Sequence, residues 1–338
     1  MTSDSIPPLR VLREQDIKDL LDIPTAIKII ERTYRDYGAG VTQRLSDPPS
    51  LFAGSGRQDD AKFKVKGATL ITEQVTGLRL VSDLPSGREV RSYHLLYVCD
   101  DRTGLPIGLL DETWLHRFRT ALTGVVASKY LARPDSHVVA LIGAGAIASQ
   151  LFPALTDCFD LEEVRVVARR LESARKFCQK FDGRLGPRFV AMDDSGAAID
   201  GADIVITLTF AEQPVVLRGM LARGSFLCSM GETEEVDIRV LDEVDRFIVD
   251  QFDYATVLGD IAVWLKKGLA TRDALEQRVD AHIGEIAAGK FPSRQSPDER
   301  NFAIIQGMAI CDLALAAHAL RQAAEKGLGE ELKMFDWA

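Results

Sequence analysis

From about residue 136 onward, short apolar runs alternate with stretches of helical periodicity. Residues 137–142 read as a fully buried strand and 146–159 as the helix that follows; 164–168 and 171–181 repeat the pair. Further short apolar runs at 188–191, 203–207, 225–228 and 246–250 continue the series. Strands alternating with helices predict an α/β fold, a doubly wound parallel sheet of Rossmann type. The first 120 residues are patterned differently. A helix is predicted over 24–37, stopped by Gly38 and Gly40, and strand-like runs follow at 62–66, 77–81, 92–98 and 106–110. Asp100–Gly104 has the composition of a hairpin turn, 115–132 reads as one long helix entering the next domain, and 291–299 as a loop. The Ala- and Leu-rich stretch 302–325 reads as a single helix that packs on either domain.

With 338 residues, 46% hydrophobic and 27% charged, the composition is that of an ordinary soluble protein with two cores. A net charge of -9 argues against nucleic-acid and anionic-membrane partners, which require clustered positive charge. No apolar run of membrane-spanning length and no basic-then-apolar leader pattern occurs, so a cytoplasmic location is expected. The five cysteines are scattered without metal-ligand spacing, so reduced thiols and no metal site are expected.

The chemistry concentrates first in Gly143-Ala144-Gly145-Ala146-Ile147-Ala148, directly after a buried strand and ahead of a helix. In such a G-x-G-x-x-A turn the first glycine permits a tight turn. The second lets backbone approach a pyrophosphate, and the small third residue permits close helix packing. Uncapped amides at the helix N-terminus then favour the anion. An acidic residue at the end of the second strand would accept hydrogen bonds from the ribose of NAD; here Arg169 and Arg170 stand there, suited to the 2'-phosphate of NADP. NADP(H) is therefore the favoured cofactor with NAD(H) as the alternative, and two solvated surface charges are the plainer explanation of the pair.

Collinear pieces then carry a resemblance. They are Thr103-Gly-Leu-Pro106, Arg119-Thr-Ala121, the glycine turn, Ala202-Asp-Ile-Val-Ile-Thr-Leu-Thr209, Leu258-Gly-Asp260, Gly284-Glu-Ile-Ala-Ala-Gly289 and Gly307-Met-Ala-Ile-Cys-Asp-Leu-Ala314. From about residue 40 to 330 the chain resembles the ornithine cyclodeaminase and mu-crystallin family. The resemblance implies a homodimer with two domains. Residues 1–119 with 310–338 form an α+β substrate-binding and dimerisation domain, and 120–309 form the NAD(P)-binding Rossmann domain. It also implies hydride transfer between nicotinamide and the α-carbon of an amino acid or its imine. Within it, Arg119 grips the substrate carboxylate and Arg44 supplies a second anion contact. Thr120, Thr207, Thr209 and Met230 join the cofactor contacts.

Two positions depart from the family pattern. A lysine of a Gly-x-Lys-x-Val strand is replaced by Arg79, which clamps anions but gives up no proton near neutrality. Lys66 on the neighbouring run is the substitute candidate, with Lys64 on its face. An aspartate following a glycine at the end of the fifth strand is replaced by Glu232, with Glu234 and Glu235 as competitors. The departures argue against an ornithine cyclodeaminase proper and for a reductase or dehydrogenase of imino or amino acids. The alternatives are a redox-neutral cyclodeaminase with tightly bound NAD and a crystallin-like ligand-binding protein without turnover. Tyr93 and His94 are neighbours on a strand and so face opposite ways. His94 and His116 read mainly as satisfied structural histidines, and Asp260 as a cofactor-side or substrate-side contact or a helix cap.

Overall fold

In the computed structural model, residues 7–45, 49–55, 57, 60–85 and 92–334 are described. The outer ends of the predicted first domain, 1–6 and 335–338, lie outside the described residues. In chain order the first elements are β1 (Leu9–Leu12), α1 (Glu14–Leu20), α2 (Ile23–Ala39), β2 (Thr42–Arg44), β3 (Leu51–Gly54), β4 (Lys62–Leu70), β5 (Val75–Asp83), β6 (Ser92–Asp100), β7 (Pro106–Asp111) and α3 (Thr113–Leu131). The alternating series follows as β8 (Val138–Ile142), α4 (Ala146–Thr156), β9 (Glu163–Val167), α5 (Leu171–Phe181), β10 (Arg188–Met192), α6 (Ser195–Ile199), β11 (Ile204–Thr207) and β12 (Phe226–Ser229). Then come β13 (Arg246–Val249), α7 (Phe252–Ala255), α8 (Asp260–Lys266), α9 (Arg272–Arg278), β14 (Ala281–His282), α10 (Ile283–Ala287) and β15 (Asn301–Ile304). The chain closes with α11 (Ala309–Lys326) and β16 (Glu330–Leu332). It divides into two compact units, Met1–Arg119 with Met308–Ala338, and Thr120–Gly307.

The first unit is built on a mixed sheet in the order β16-β1-β7-β6-β5-β4-β2, with β3 also paired to β4. The long strands β4 to β7 are antiparallel, so their side chains alternate cleanly between two faces. One face carries Ala68, Leu70, Val75, Leu96, Val98 and Leu110, all buried, and α11 packs against these strands. The opposite face presents Leu78 (44% exposed), Tyr93 (58%) and Leu95 (42%), with Phe63, Val65, Leu80, Tyr97 and Leu109 half-buried beside them. That face therefore leaves three large apolar side chains exposed.

The second unit is a parallel sheet in the order β10-β9-β8-β11-β12-β15-β13-β14. Its central strands are continuous apolar runs because helices cover both faces. The predicted single helix over 302–325 is wrong at its start. Residues 301–304 form β15, a strand between β12 and β13, and Gly307 (φ +79) turns the chain before α11 begins. Phe302, Ala303 and Ile304 are fully buried, and a short apolar run of that kind has no periodicity to separate strand from helix.

Candidate active site

In the first unit the strand register gathers the basic side chains. Lys66 lies directly opposite Arg79, Arg79 opposite Leu96, and Val81 opposite His94, so Lys66, Arg79 and His94 share the face that α11 covers. Just beyond β7, Glu112 donates its backbone N–H to the His94 carbonyl (2.9 Å). The helix α3 adds His116 and Arg119 one turn apart, and α11 adds Asp312. Lys66, Arg79, Glu112, Arg119 and Asp312 are each no more than 5% exposed.

Buried charges persist only when paired, and Arg79, Glu112, Arg119 and Asp312 are. Arg79 donates from Nε to both oxygens of Glu112 (2.8 and 2.7 Å) and from Nη2 to His94 Nδ1 (3.0 Å). Arg119 donates from Nε to Asp312 Oδ1 (2.6 Å) and from Nη2 to His116 Nδ1 (3.0 Å). The same Asp312 oxygen lies 3.8 Å from Arg79 Nε and joins the two halves. Arg119 Nη1 is buried with no hydrogen-bond partner among the described residues. Each guanidinium is a donor, so each histidine accepts at Nδ1 and is neutral with its proton on Nε2. For His94 that proton faces Ser92 Oγ (3.0 Å).

Burial and then the Arg79 charge push His94 down to about 3, and burial with Arg79 and Arg119 holds His116 well below the ordinary histidine range. Burial also holds Lys66 well below the usual lysine range, reinforced by the charges of Arg79 and Arg119. Burial alone would raise Asp312, but Arg119 and Arg79 keep it well below the usual carboxylate range. Glu112, His116 and Asp312 present ligand atoms within 4.8 Å of one another. Arg79 and Arg119 already donate to those groups, which makes the cluster an ion-pair network rather than a cation cage.

In the second unit Gly143 adopts φ +117, and a Cβ there would stand 2.2 Å from the Leu208 carbonyl oxygen. Only glycine fits. Gly145 is the exposed N-cap of α4, has nothing within 4 Å of its Cβ position, and leaves the helix without a side-chain cap. Open backbone and uncapped first-turn amides are what a pyrophosphate requires, so these residues fit a dinucleotide. Ala146 is exposed, Ala144 and Ile147 are half-buried, and Ala148 is fully buried beneath the turn. Arg169 and Arg170 are exposed just past the end of β9, the strand beside β8.

Other predicted residues occupy different surroundings. Arg79 faces the cluster, where its guanidinium donates to Glu112 and His94. Arg44 is exposed on the edge strand β2, opposite Ala68 and therefore on the Lys66 face. Glu232 is exposed. Glu234 pairs with Lys267, and Glu235 is fully buried. Thr207 is fully buried and donates to Glu235 (2.7 Å), so its hydroxyl serves the protein beneath the loop. Thr209 donates its backbone N–H to Glu235, while Met230 and Thr120 are buried. Asp260 opens α8, but Gly259 is the N-cap; the Asp260 carboxylate accepts from the backbone N–H groups of Glu235 (2.6 Å) and Val236 (2.8 Å).

Sequence reasoning missed Glu112 and Asp312 and gave Glu235 only a competitor's place. Asp312 had a signal: between Ala309 and Leu320 it is the one acidic residue in an otherwise Ala- and Leu-rich helix. Glu112 had none beyond its place at a strand-to-helix junction.

A parallel sheet with a glycine turn ahead of α4, and an α+β unit holding buried arginines, define a two-unit α/β protein with a Rossmann dinucleotide-binding domain. The chain belongs to the ornithine cyclodeaminase/mu-crystallin family, whose profile matches residues 9–327. It is 27% identical over 332 residues to an alanine dehydrogenase of Archaeoglobus fulgidus, covering 96% of this chain and 98% of that one. It is 27% identical over 270 residues to a Delta(1)-pyrroline-2-carboxylate reductase of Bacillus cereus, covering 77% and 81%. Among solved structures, an archaeal alanine dehydrogenase dimer with bound NAD superposes with a TM-score of 0.86 at 27% identity, covering 97% of this chain and 99% of that chain.

Proposed function

We propose that this protein is an NAD(P)-dependent oxidoreductase that moves hydride at the α-carbon of an amino acid or its imine. The observation that carries the reading is Arg119. Its guanidinium is fixed by Asp312 and His116 and keeps one buried donor, Nη1, without a partner among the described residues, which suits the carboxylate of an incoming substrate. Relatives named for alanine and for pyrroline-carboxylate support an α-amino or α-imino acid in that role.

When bound, the nicotinamide supplies or accepts the hydride. The residues of Gly143–Ala148 hold its pyrophosphate, with Thr120, Thr209 and Met230 as further contacts, and Thr207 acts through Glu235. Arg169 and Arg170 favour the 2'-phosphate, which makes NADP(H) the preferred cofactor and NAD(H) the second; the NAD bound by the alanine dehydrogenase relative supports the nicotinamide class alone. For the proton, Lys66 is the better group. It is buried and its amine is held well below the usual lysine range, whereas Glu232 is exposed. Arg79 sets the charge beside Lys66, and Arg44 serves as an outer anion contact.

The open apolar face of β4 to β7 is covered by a second copy of this chain. The dimer of the alanine dehydrogenase relative and the run of exposed Leu78, Tyr93 and Leu95 support a homodimer. The unit Met1–Arg119 with Met308–Ala338 is thus read as the substrate-binding and dimerisation domain, and Thr120–Gly307 as the cofactor domain. No helix of the described residues is long and apolar enough to cross a membrane.

The test is a spectrophotometric panel of cyclic and linear imino acids, and of amino acids in reverse, with NADPH and NADH. Turnover of at least one α-imino or α-amino acid is the expected result. Tight cofactor binding with no change in nicotinamide absorbance across the panel, or release of ammonia without such a change, would sink the oxidoreductase reading.

A further inference from the structure

The loops after β11 and β12 are tied together from below. Glu235, fully buried, accepts from Thr207 Oγ1 (2.7 Å), from the backbone N–H of Gly231 (2.8 Å) and from that of Thr209. Gly231 lies so close over this carboxylate that a Cβ would stand 2.4 Å from Glu235 Cδ. Asp260, also fully buried, braces the same segment through the Glu235 and Val236 amides. Gln306 Nε2 adds a bond to the Gly231 carbonyl (2.9 Å). Since the Leu208 carbonyl packs on Gly143, the segment anchored by Glu235 is the one against which the glycine turn rests.

Resting on the reading of Thr120–Gly307 as the cofactor unit, we propose that Glu235 and Asp260 are positioning residues. They form a buried carboxyl pair, joined through Ser229, that holds the loops after β11 and β12 in their cofactor-binding conformation and loosens as pH rises.

The proton count supports this. Ser229 Oγ lies 3.1 Å from Glu235 Oε2 and 2.5 Å from Asp260 Oδ2, yet a serine hydroxyl has one hydrogen. If Asp260 carries a proton on Oδ2, it donates to Ser229, Ser229 donates to Glu235, and Asp260 Oδ1 remains free to accept from the two amides. Every polar group is then satisfied, and Glu235, which burial raises but which four donors stabilise in its charged form, is the anion. If Asp260 is ionised, one hydrogen faces two anions. Burial, followed by the Glu235 charge, pushes Asp260 up to about 7. Other charges nearby are engaged elsewhere: Lys267 on α8 binds Glu234, and Asp250 past β13 accepts from the Gln251 and Gly307 amides. The proton is therefore present below about pH 7 and lost as pH rises through it. The two carboxylates then repel across Ser229.

The experiment measures NADH binding to the full chain by fluorescence from about pH 6 to about pH 9, where no group on NADH titrates, alongside melting of the cofactor-free protein. Wild-type affinity is expected to fall about tenfold across that range. Asp260→Asn, whose amide offers the same acceptor to the two backbone N–H groups and the same donor to Ser229, is expected to show no such fall. Glu235→Gln is expected to weaken NADH about tenfold at every pH, through loss of a charged acceptor of several hydrogen bonds. A flat wild-type profile, or a fall of equal size in Asp260→Asn, overturns the proposal. So does a Glu235→Gln protein that melts lower yet binds NADH normally, which reduces the pair to a structural role. Absence of binding of both NADH and NADPH to the wild type would sink the cofactor reading itself, and the positioning role with it.

Discussion

Lys66 and Arg79 face each other in direct register across β4 and β5, 5% and 2% exposed, two basic side chains side by side under one helix. Water cannot screen them, so the pair resolves its repulsion in two ways. Arg79 keeps its charge by binding Glu112, and Lys66 gives up its proton readily. The arginine that stands where the family pattern has a lysine thereby sits beside a lysine held well below the usual lysine range.

Lys66→Met is expected to lower kcat by about 100-fold or more, the usual scale of a lost acid or base, and Lys66→Arg does not restore it because a guanidinium keeps its proton. Stability moves the other way. A lysine whose folded pKa lies below its unfolded value costs stability increasingly as pH falls through that window, and methionine removes the cost. The methionine variant therefore melts higher than wild type at neutral pH. Normal steady-state kinetics in this variant would remove Lys66 from the mechanism.

Asp312→Ala leaves Arg119 as a buried charge without its anion, and a loss of about 3–5 kcal/mol in denaturant unfolding is expected. Because Asp312 is held well below the usual carboxylate range, its contribution is present at neutral pH and fades as pH falls through that lowered value. Wild type and Asp312→Asn should therefore converge in strong acid. KM for the amino or imino acid should rise as Arg119 loses its orientation, and an unchanged KM would separate Arg119 from the substrate.

Arg169→Ala combined with Arg170→Ala should lower the preference for NADPH over NADH about tenfold or more, the scale of lost charge-assisted contacts to a phosphate. Direct titration with both cofactors decides it. An unchanged ratio would return the two arginines to the status of solvated surface charges.

Leu95→Asp places a charge in the centre of the exposed apolar sheet face, beside Tyr93 and Leu78. Sedimentation equilibrium should report a dimer for wild type and a monomer for the variant, with little change in circular dichroism. A dimer that persists would move the subunit contact to another surface.

Much of this protein was legible from local pattern. Strand-like runs at 62–66, 77–81, 92–98 and 106–110 announced β4 to β7, and alternation along a strand announced the opposite facing of Tyr93 and His94. The buried runs before Gly143 and after Phe159 announced the parallel sheet. Where pattern misled, it did so for a physical reason: the apolar run Phe302–Ile305 leads within a few residues into an Ala- and Leu-rich stretch, and a strand that enters the middle of a parallel sheet looks like the first turn of the helix that follows it.

The glycine turn is a local matter, because Gly143 must hold φ +117 against the Leu208 carbonyl and the sequence already names a residue able to do so. The charge network is not. Arg119 meets Asp312 across 193 positions and Arg79 meets Glu112 across 33, and Glu235 collects donors from Thr207, Thr209 and Gly231. Which acid neutralises which base depends on burial and distance. Those are set only when the strands and α11 pack.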